Sequence, residues 1–211
     1  MQPGQPKFRR RKAERPAEIV QAALAVFAER GFAGARLDEI AARAGVSKGA
    51  LYLYFETKEE LFRAVVRQAI APNVAVLRAM AAAHPGPLPD LLRGAASHIA
   101  GVVETTPLGG VVKMVIGEAG NFPELARVWH DELIAQALGA MTAAIEAAQA
   151  RGEVRAGDAR TFALQLIAPL LVMVIWRETF TPVGVEAWDL RAVMAQHVET
   201  LLTGMLTEGA R

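Results

Sequence analysis

A short run of polar, basic and small residues in the N-terminal third is the part of the sequence best suited to touching another molecule. It reads Ser-Lys-Gly-Ala from Ser47 to Ala50, and Tyr52 follows one helical turn on. Ser47 is a good helix N-cap, and small residues behind it let a first helical turn approach a partner closely. Lys48 and Tyr52 can reach base edges or phosphates. The pattern predicts a helix whose N-terminal face binds nucleic acid.

The residues before this run fit the first helix and the turn of a helix-turn-helix. Such a unit packs two short helices at a steep angle and needs a small residue at their contact, here Ala41. Gly45 tolerates the positive φ that the chain reversal requires. The crevice between the helices needs apolar residues, which are Ile40, Ala44, Val46 and Leu51. A capping box from Thr57 starts the next helix, and its first amides with the Lys58 ammonium suit a phosphate.

The distribution of charge points to a polyanion for the N-terminal part only. Residues 1–63 carry a net charge of +4 and residues 64–211 a net charge of −3. Residues 1–15 are predicted to be a flexible basic arm, which either neutralises phosphates or is a disordered tail of no consequence. Pro16 is predicted to be the first residue of the first helix.

The whole chain is predicted to be all-α, with about nine helices and no strand, because alanine and leucine dominate it. The absence of cysteine excludes disulfides and thiolate metal sites. The longest apolar stretch, residues 162–176, is expected to be too short to span a bilayer and to be buried in protein. No signal peptide pattern is visible, so a soluble cytoplasmic protein without a membrane partner is expected. The predicted helices are 16–31, 37–44, 47–54, 57–70, 88–105, 107–119, 123–151, 158–179 and 185–206, with Pro72 ending or kinking the fourth.

Four blocks of sequence together resemble the signature of the TetR/AcrR repressor family. They are Gly31-Phe32, residues 37–41, the run from Ala44 to Phe55, and residues 58–61, so the match covers about residues 16–63. The resemblance implies that the operator-reading positions are Lys48, Gly49, Ala50 and Tyr52, next to the capping Ser47. It implies that Tyr54 and Lys58 contact phosphates. Where the family usually has a capping Thr, this chain has Ala35 and Arg36; the cap bond is in doubt, and Arg36 could contact phosphate instead.

The C-terminal two-thirds more weakly resembles the ligand-binding and dimerisation domain of the same family. The similar stretch is Ile116 to Ala119 with Phe122 to Ala126. The resemblance implies a helical domain over residues 64–211 whose last two helices form a four-helix bundle with a second copy. Residues 158–179 support a homodimer independently, because a helix that is apolar nearly all round must be covered on every side.

A regulator of this kind also needs a cavity for a small-molecule effector. The residues proposed to line it are Met114, Phe122, Trp129, Met173, Trp176 and Phe180, with His130, Arg177 and Glu178 as polar anchors. Each has a plainer interpretation, since Met and aromatic residues at helical spacing also form ordinary cores. Few polar groups among them favour an apolar or amphipathic effector. No cofactor is expected, and the helix from Thr57 to Ile70 is expected to transmit the signal to the DNA.

Three functions remain open at this point. The first is a repressor that binds palindromic operator DNA as a dimer and is released by an effector. The second is a DNA-binding regulator whose C-terminal domain binds a protein partner and no small molecule. The third is an all-α enzyme, which is disfavoured because no catalytic motif is present. The one cluster of titratable groups with histidine, His130-Asp131-Glu132, places consecutive residues in different directions on a helix, so neither catalysis nor a metal site is predicted.

Overall fold

The computed structural model describes the backbone of residues 7–84 and 86–210, with side chains from Arg15 onward. Over these residues the fold is all-α, as predicted, and it contains nine helices when segments joined by a π-helical turn are taken as one. The single β feature described is an isolated antiparallel bridge between Val154 and Leu206.

The first four helices are α1 (Lys7–Gly34), α2 (Leu37–Arg43), α3 (Lys48–Tyr52) and α4, which joins Lys58–Val65 to Ala71–Ala83 through the π turn Val66–Ile70. The other five are α5 (Leu88–Thr105), α6 (Leu108–Glu118), α7, α8 (Ala159–Thr179) and α9 (Leu190–Met205). Helix α7 joins Pro123–Trp129 to Ala135–Ala150 through the π turn His130–Ile134.

The start of α1 corrects the predicted N-terminus. The helix begins at Lys7, so Pro16 lies inside it and is not its first residue. The Lys, Arg, Ala and Glu residues that precede Pro16 are strong helix formers. They extend the helix past Pro16, although a proline inside a helix removes one hydrogen bond and crowds the carbonyl four residues earlier. Residues 1–6 of the predicted arm lie outside the described residues.

Helix α4 passes through Pro72 without ending, and its π turn explains how. A proline inside a helix removes one amide donor and clashes with the carbonyl four residues earlier, here that of Gln68. The π turn Val66–Ile70 contains this carbonyl and changes the hydrogen-bond register just before the proline. The same helix therefore extends from the N-terminal helices into the C-terminal ones.

The last helix starts later than predicted, at Leu190 and not near Val185. Asp189 caps it, because its side chain accepts a hydrogen bond from the amide of Ala192 at 3.0 Å. The segment before it includes a short 3₁₀ turn, Thr181–Val183. The indole of Trp176 donates to the carbonyl of Glu186 at 3.0 Å and so ties this segment to α8.

Two apolar cores organise the chain, and the first of them continues across residue 63. It joins α1, α2, α3 and the first half of α4 to α6 and the beginning of α7; Phe27, Phe62 and Val111 are all fully buried in it. The second core lies between α5, the rest of α7, α8 and α9. The proposed division into residues 16–63 and 64–211 is thus bridged by one continuous core.

Helix α8 is less buried than the sequence suggested. With the turn that follows, it is long and apolar enough over Ala159–Val183 to cross a membrane by length and composition alone, and 28% of its most apolar window is buried within the chain. The chain alone therefore does not cover this helix on every side, as its nearly all-round apolar sequence indicated. Leu164 and Val172 are each 57% exposed, because α5, α7 and α9 do not cover that side.

Candidate nucleic-acid interface

The turn between α2 and α3 has the geometry of a helix-turn-helix. Gly45 has a φ of 65°, the left-handed conformation that its position was predicted to need. The amide of Val46 returns to the carbonyl of Ala41 at 3.0 Å, and Ala41 is buried at the contact of the two helices. Ile40 and Leu51 are fully buried beneath it. The crevice predicted from the sequence is confirmed.

Helix α3 presents its N-terminal face to solvent. The hydroxyl of Ser47 accepts a hydrogen bond from the amide of Ala50 at 3.1 Å, so Ser47 is the N-cap as predicted. Lys48 and Gly49 are exposed, Ala50 is half-buried, and Tyr52 is 43% exposed. A Cβ atom placed on Gly49 would meet no described atom within 4 Å. Packing within this chain therefore does not explain the glycine, whereas close approach of a DNA groove would.

Lys48 is held over the first helix of the motif by Asp38. The ammonium lies 2.8 Å from the Asp38 carboxylate, and this hydrogen bond raises the pKa of Lys48. Both side chains are more than half exposed. The pair fixes a positive charge beside the N-terminus of α3, where it can exchange its carboxylate partner for a phosphate or a base edge.

At the other end of the motif, the N-terminus of α2 lacks the capping threonine that is usual in the family. Arg36 is the N-cap residue of α2, and its side chain makes no cap hydrogen bond. The Arg36 side chain is exposed, which leaves it available for a phosphate. Tyr54 is half-buried and packs against the first core.

Lys58 is placed differently from what the sequence suggested. Its ammonium donates to the carbonyls of Phe32 at 2.6 Å and Ala35 at 3.3 Å, and it lies 4.5 Å from the centre of the Phe32 ring. It therefore faces the connection between α1 and α2 (residues 31–36, the α1–α2 turn). A phosphate contact by Lys58 stays a prediction that would require this charge to be shared or released.

The N-terminus of α4 is capped by its own residues in a shifted capping box. Thr57 accepts from the amide of Glu60 at 3.1 Å, as predicted. The carboxylate of Glu60 accepts from the amide of Glu56 at 2.9 Å, one residue before the N-cap.

The residues proposed for an effector site fall into three separate places. Met114, Phe122 and Trp129 pack in the first core, against the helices that carry the DNA-binding motif. His130 is exposed and lies 2.7 Å from the Asp131 carboxylate. A cavity of about 60 Å³ at the end of α8 is lined by Met173, Trp176 and Arg177. Phe180 and Glu178 adjoin this end of α8, since Phe180 packs on Trp176 and Glu178 bonds to Arg177.

A second cavity, of about 40 Å³, was missed by the sequence reasoning. It lies between α4, α5, α7, α8 and α9, and its walls include Leu92, Ala95, Ile99, Met141 and Leu166. The apolar face of α5 was visible in the sequence, but nothing marked which of its residues face empty space. Pockets for drug-sized ligands occupy about 300–1,000 Å³, so both cavities would have to open to admit one.

The titratable cluster of α7 does not assemble into a reactive site. The carboxylate of Glu132 is paired with Arg67 of α4 at 2.8 Å, apart from the exposed pair of His130 and Asp131. Among the side chains described, those of residues 15–84 and 86–210, no three or more His, Asp or Glu are grouped so that they could hold a metal ion.

Comparison with known proteins decides the family. Residues 19–65 match the family described as bacterial regulatory proteins of the tetR family, and residues 90–204 match the C-terminal domain of AefR-like transcriptional repressors. The chain belongs to the TetR family. These matches group the chain with TetR-family transcriptional regulators, and they agree with the helix-turn-helix geometry.

Individual relatives agree with the family over different lengths. The transcriptional repressor BepR of Brucella suis is 42% identical over 77 residues, which are 36% of this chain and 37% of that protein. The chain thus spans little more than a third of the length of that curated relative. A putative TetR-family regulator from Mesorhizobium loti is 25% identical with a TM-score of 0.76, covering 93% of this chain and 99% of that one. SmeT of Stenotrophomonas maltophilia, solved with triclosan, is 24% identical with a TM-score of 0.77, covering 93% and 94%.

Gly49→Ala is expected to weaken binding to operator DNA without weakening the fold. The added methyl meets open space within the chain, and alanine favours a helix by up to about 1 kcal/mol over glycine. The same methyl would stand between α3 and the floor of a groove. Operator affinity and thermal unfolding are measured side by side, with Gly139→Ala in α7 as the matched control because it also faces open space. Unchanged operator affinity in Gly49→Ala would mean that this face of α3 does not enter the groove.

Proposed function

We propose that this protein is a cytoplasmic, dimeric repressor that binds a palindromic operator through α3 and is released by a small apolar or amphipathic effector. The observation that carries the proposal is the exposed first turn of α3, which follows a turn with helix-turn-helix geometry. Lys48 and Gly49 in this turn are not packed against the rest of the chain. Residues proposed to touch DNA are Arg36, Ser47, Lys48, Gly49, Ala50, Tyr52, Tyr54 and Lys58.

A second copy of the chain is proposed to cover α8. Leu164, Leu171 and Val172 expose an apolar strip along this helix, which is costly in water. Two copies that bury this strip against each other would form a two-fold dimer. Such a dimer presents two α3 helices to half-sites on one face of the duplex, which is why a near-palindromic operator is expected.

The effector is proposed to enter the cavity between α5, α7, α8 and α9. The walls are apolar, so an apolar or amphipathic compound fits their chemistry. A cavity of about 40 Å³ requires these helices to separate on binding. A ligand that binds the separated form better shifts the chain toward it, and operator affinity falls if that form misplaces the two α3 helices.

The operator is identified by selecting bound duplexes from random DNA with the full-length protein. We expect a near-palindromic site and a complex of two chains per site. A single asymmetric half-site that gives full affinity would contradict the dimer.

Effector release is then tested by a thermal-shift screen of apolar and amphipathic compounds, with triclosan included as a first probe. Each stabilising compound is expected to weaken operator binding by roughly 5- to 150-fold, the usual range of allosteric coupling. Leu166→Trp, which fills the cavity, should abolish both the thermal shift and the release. Compounds that stabilise the chain but leave operator affinity unchanged would refute effector release and favour a protein partner as the regulatory signal.

A further inference from the structure

The α1–α2 turn is held from two sides by charged side chains from other helices. Helix α1 breaks at Gly31, whose φ of 72° and ψ of 175° are not helical, and resumes for one last turn. Such a break leaves the first amides of the new turn without helical partners. The Glu118 carboxylate accepts both, from Phe32 at 2.8 Å and from Ala33 at 2.7 Å.

The opposite end of the same turn is satisfied by Lys58, whose ammonium donates to the carbonyls of Phe32, Ala33 and Ala35. A carboxylate at the amide end and an ammonium at the carbonyl end both match the dipole of the turn. Arg36, the N-cap of α2, follows immediately. The turn from which the helix-turn-helix leaves α1 is therefore held by two side chains outside both α1 and the motif.

Gly31 is required at this place for two independent reasons. Its positive φ disfavours any residue with a side chain. A Cβ atom there would also force the end of the Glu118 side chain to shift and so disturb its contact with the turn. The aromatic rings beside the turn support the same contact, because Phe32 packs on Phe122 with ring centres 5.0 Å apart.

Helix α6, which ends at Glu118, is anchored at both ends. In its middle, Lys113 donates to the carbonyl of Glu178 at 2.6 Å, at the end of α8. Near its start, Gly110 lies against the backbone of α1 so closely that a Cβ atom would be 2.8 Å from the Cβ of Ala28. These contacts connect the end of α8, through α6, to the α1–α2 turn by a route that does not include α4.

We propose that Glu118 is a positioning residue for operator binding, which fixes the angle of the helix-turn-helix by holding the amides of Phe32 and Ala33. The proposal rests on the proposed operator-binding function. It assigns the link between the C-terminal helices and the DNA to α6, in addition to α4.

The test compares full-length wild-type protein with Glu118→Gln and Glu118→Ala. Gln keeps the size of the side chain but offers one acceptor oxygen where the carboxylate offers two. We expect operator affinity to fall roughly 3- to 30-fold in Glu118→Gln and further in Glu118→Ala. Glu124→Gln, an exposed carboxylate on α7, is the control for loss of charge and should bind as wild type.

Amide hydrogen exchange provides a readout that does not depend on DNA. Residues 31–36 should exchange faster in Glu118→Gln, while α5 exchanges as in the wild type. Wild-type operator affinity in Glu118→Gln, or unchanged exchange in the turn, would overturn the proposal. If Glu118→Ala unfolds, the isosteric Gln variant decides. A wild-type chain that selects no operator would refute the operator-binding function itself, and the exchange experiment would still report whether Glu118 holds the turn, so the two failures are distinguishable.

Discussion

A Val172→Glu variant is expected to be monomeric and to lose most of its affinity for the operator. Val172 is 57% exposed on the apolar strip of α8, where a second copy is proposed to pack. A glutamate there would bring two like charges together at a two-fold interface and bury them, which association cannot compensate. Each chain would then bind one half-site alone. Linking two binding modules typically raises avidity by about 10²- to 10⁴-fold, and we expect a loss of that order.

The measurement pairs sedimentation or light scattering with operator titration. Val76→Glu on α4 is the matched control, because Val76 is also exposed and apolar but lies outside the α8 strip. It should remain dimeric and bind normally. A Val172→Glu protein that stays dimeric would show that the two chains meet through another surface.

Phe32→Ala is expected to destabilise the whole chain by about 3–5 kcal/mol, the cost usual for removing a buried phenylalanine. Phe32 is fully buried, and its ring lies within 6.1 Å, centre to centre, of the rings of Phe27, Phe62 and Phe122. These four come from α1, α4 and the start of α7, so the lost contacts join the DNA-binding helices to the C-terminal ones.

Denaturant unfolding followed by tryptophan fluorescence checks this, because Trp129 lies in the same core. Phe180→Ala, at a 41% exposed position, is the control and should cost far less. We also expect far-ultraviolet circular dichroism and tryptophan fluorescence to change together. A separate early transition of the N-terminal helices in the wild type would contradict a continuous core.

The helix-turn-helix could be read from the sequence because its demands are local. Ala41, Gly45 and Ser47 each satisfy a requirement of contact, φ or capping at a fixed offset, and the structure places each as expected. Helix number and most ends followed from the same local rules. The π turns before Pro72 and in α7 could not be predicted, because they depend on how one long helix packs along two cores.

The role of Lys58 shows where local reasoning ends. From the sequence it is a cation at a helix N-terminus, and only the fold brings the carbonyls of Phe32 and Ala35 to it. Glu118 is further away in sequence, 86 residues from Phe32, and the family resemblance of the stretch Ile116 to Ala119 does not indicate this contact. The same holds for the cavity walls, since which faces of five helices leave space between them depends on crossing angles that no single segment encodes.

The alanines with which α5 and α7 line the cavity between the five helices limit how this protein could be converted into a biosensor. Sensor engineering usually makes room for a new analyte by trimming side chains, and Ala95, Ala96, Ala137 and Ala140 have almost nothing left to trim. Leu92, Met141 and Leu166 are larger side chains in the cavity wall that could be shortened. Each truncation to alanine would lower the free energy of unfolding by about 2–5 kcal/mol. A redesign should therefore first stabilise the fold elsewhere, so that two such truncations can be tolerated. This would gain more than a mutant library that varies all the lining positions equally.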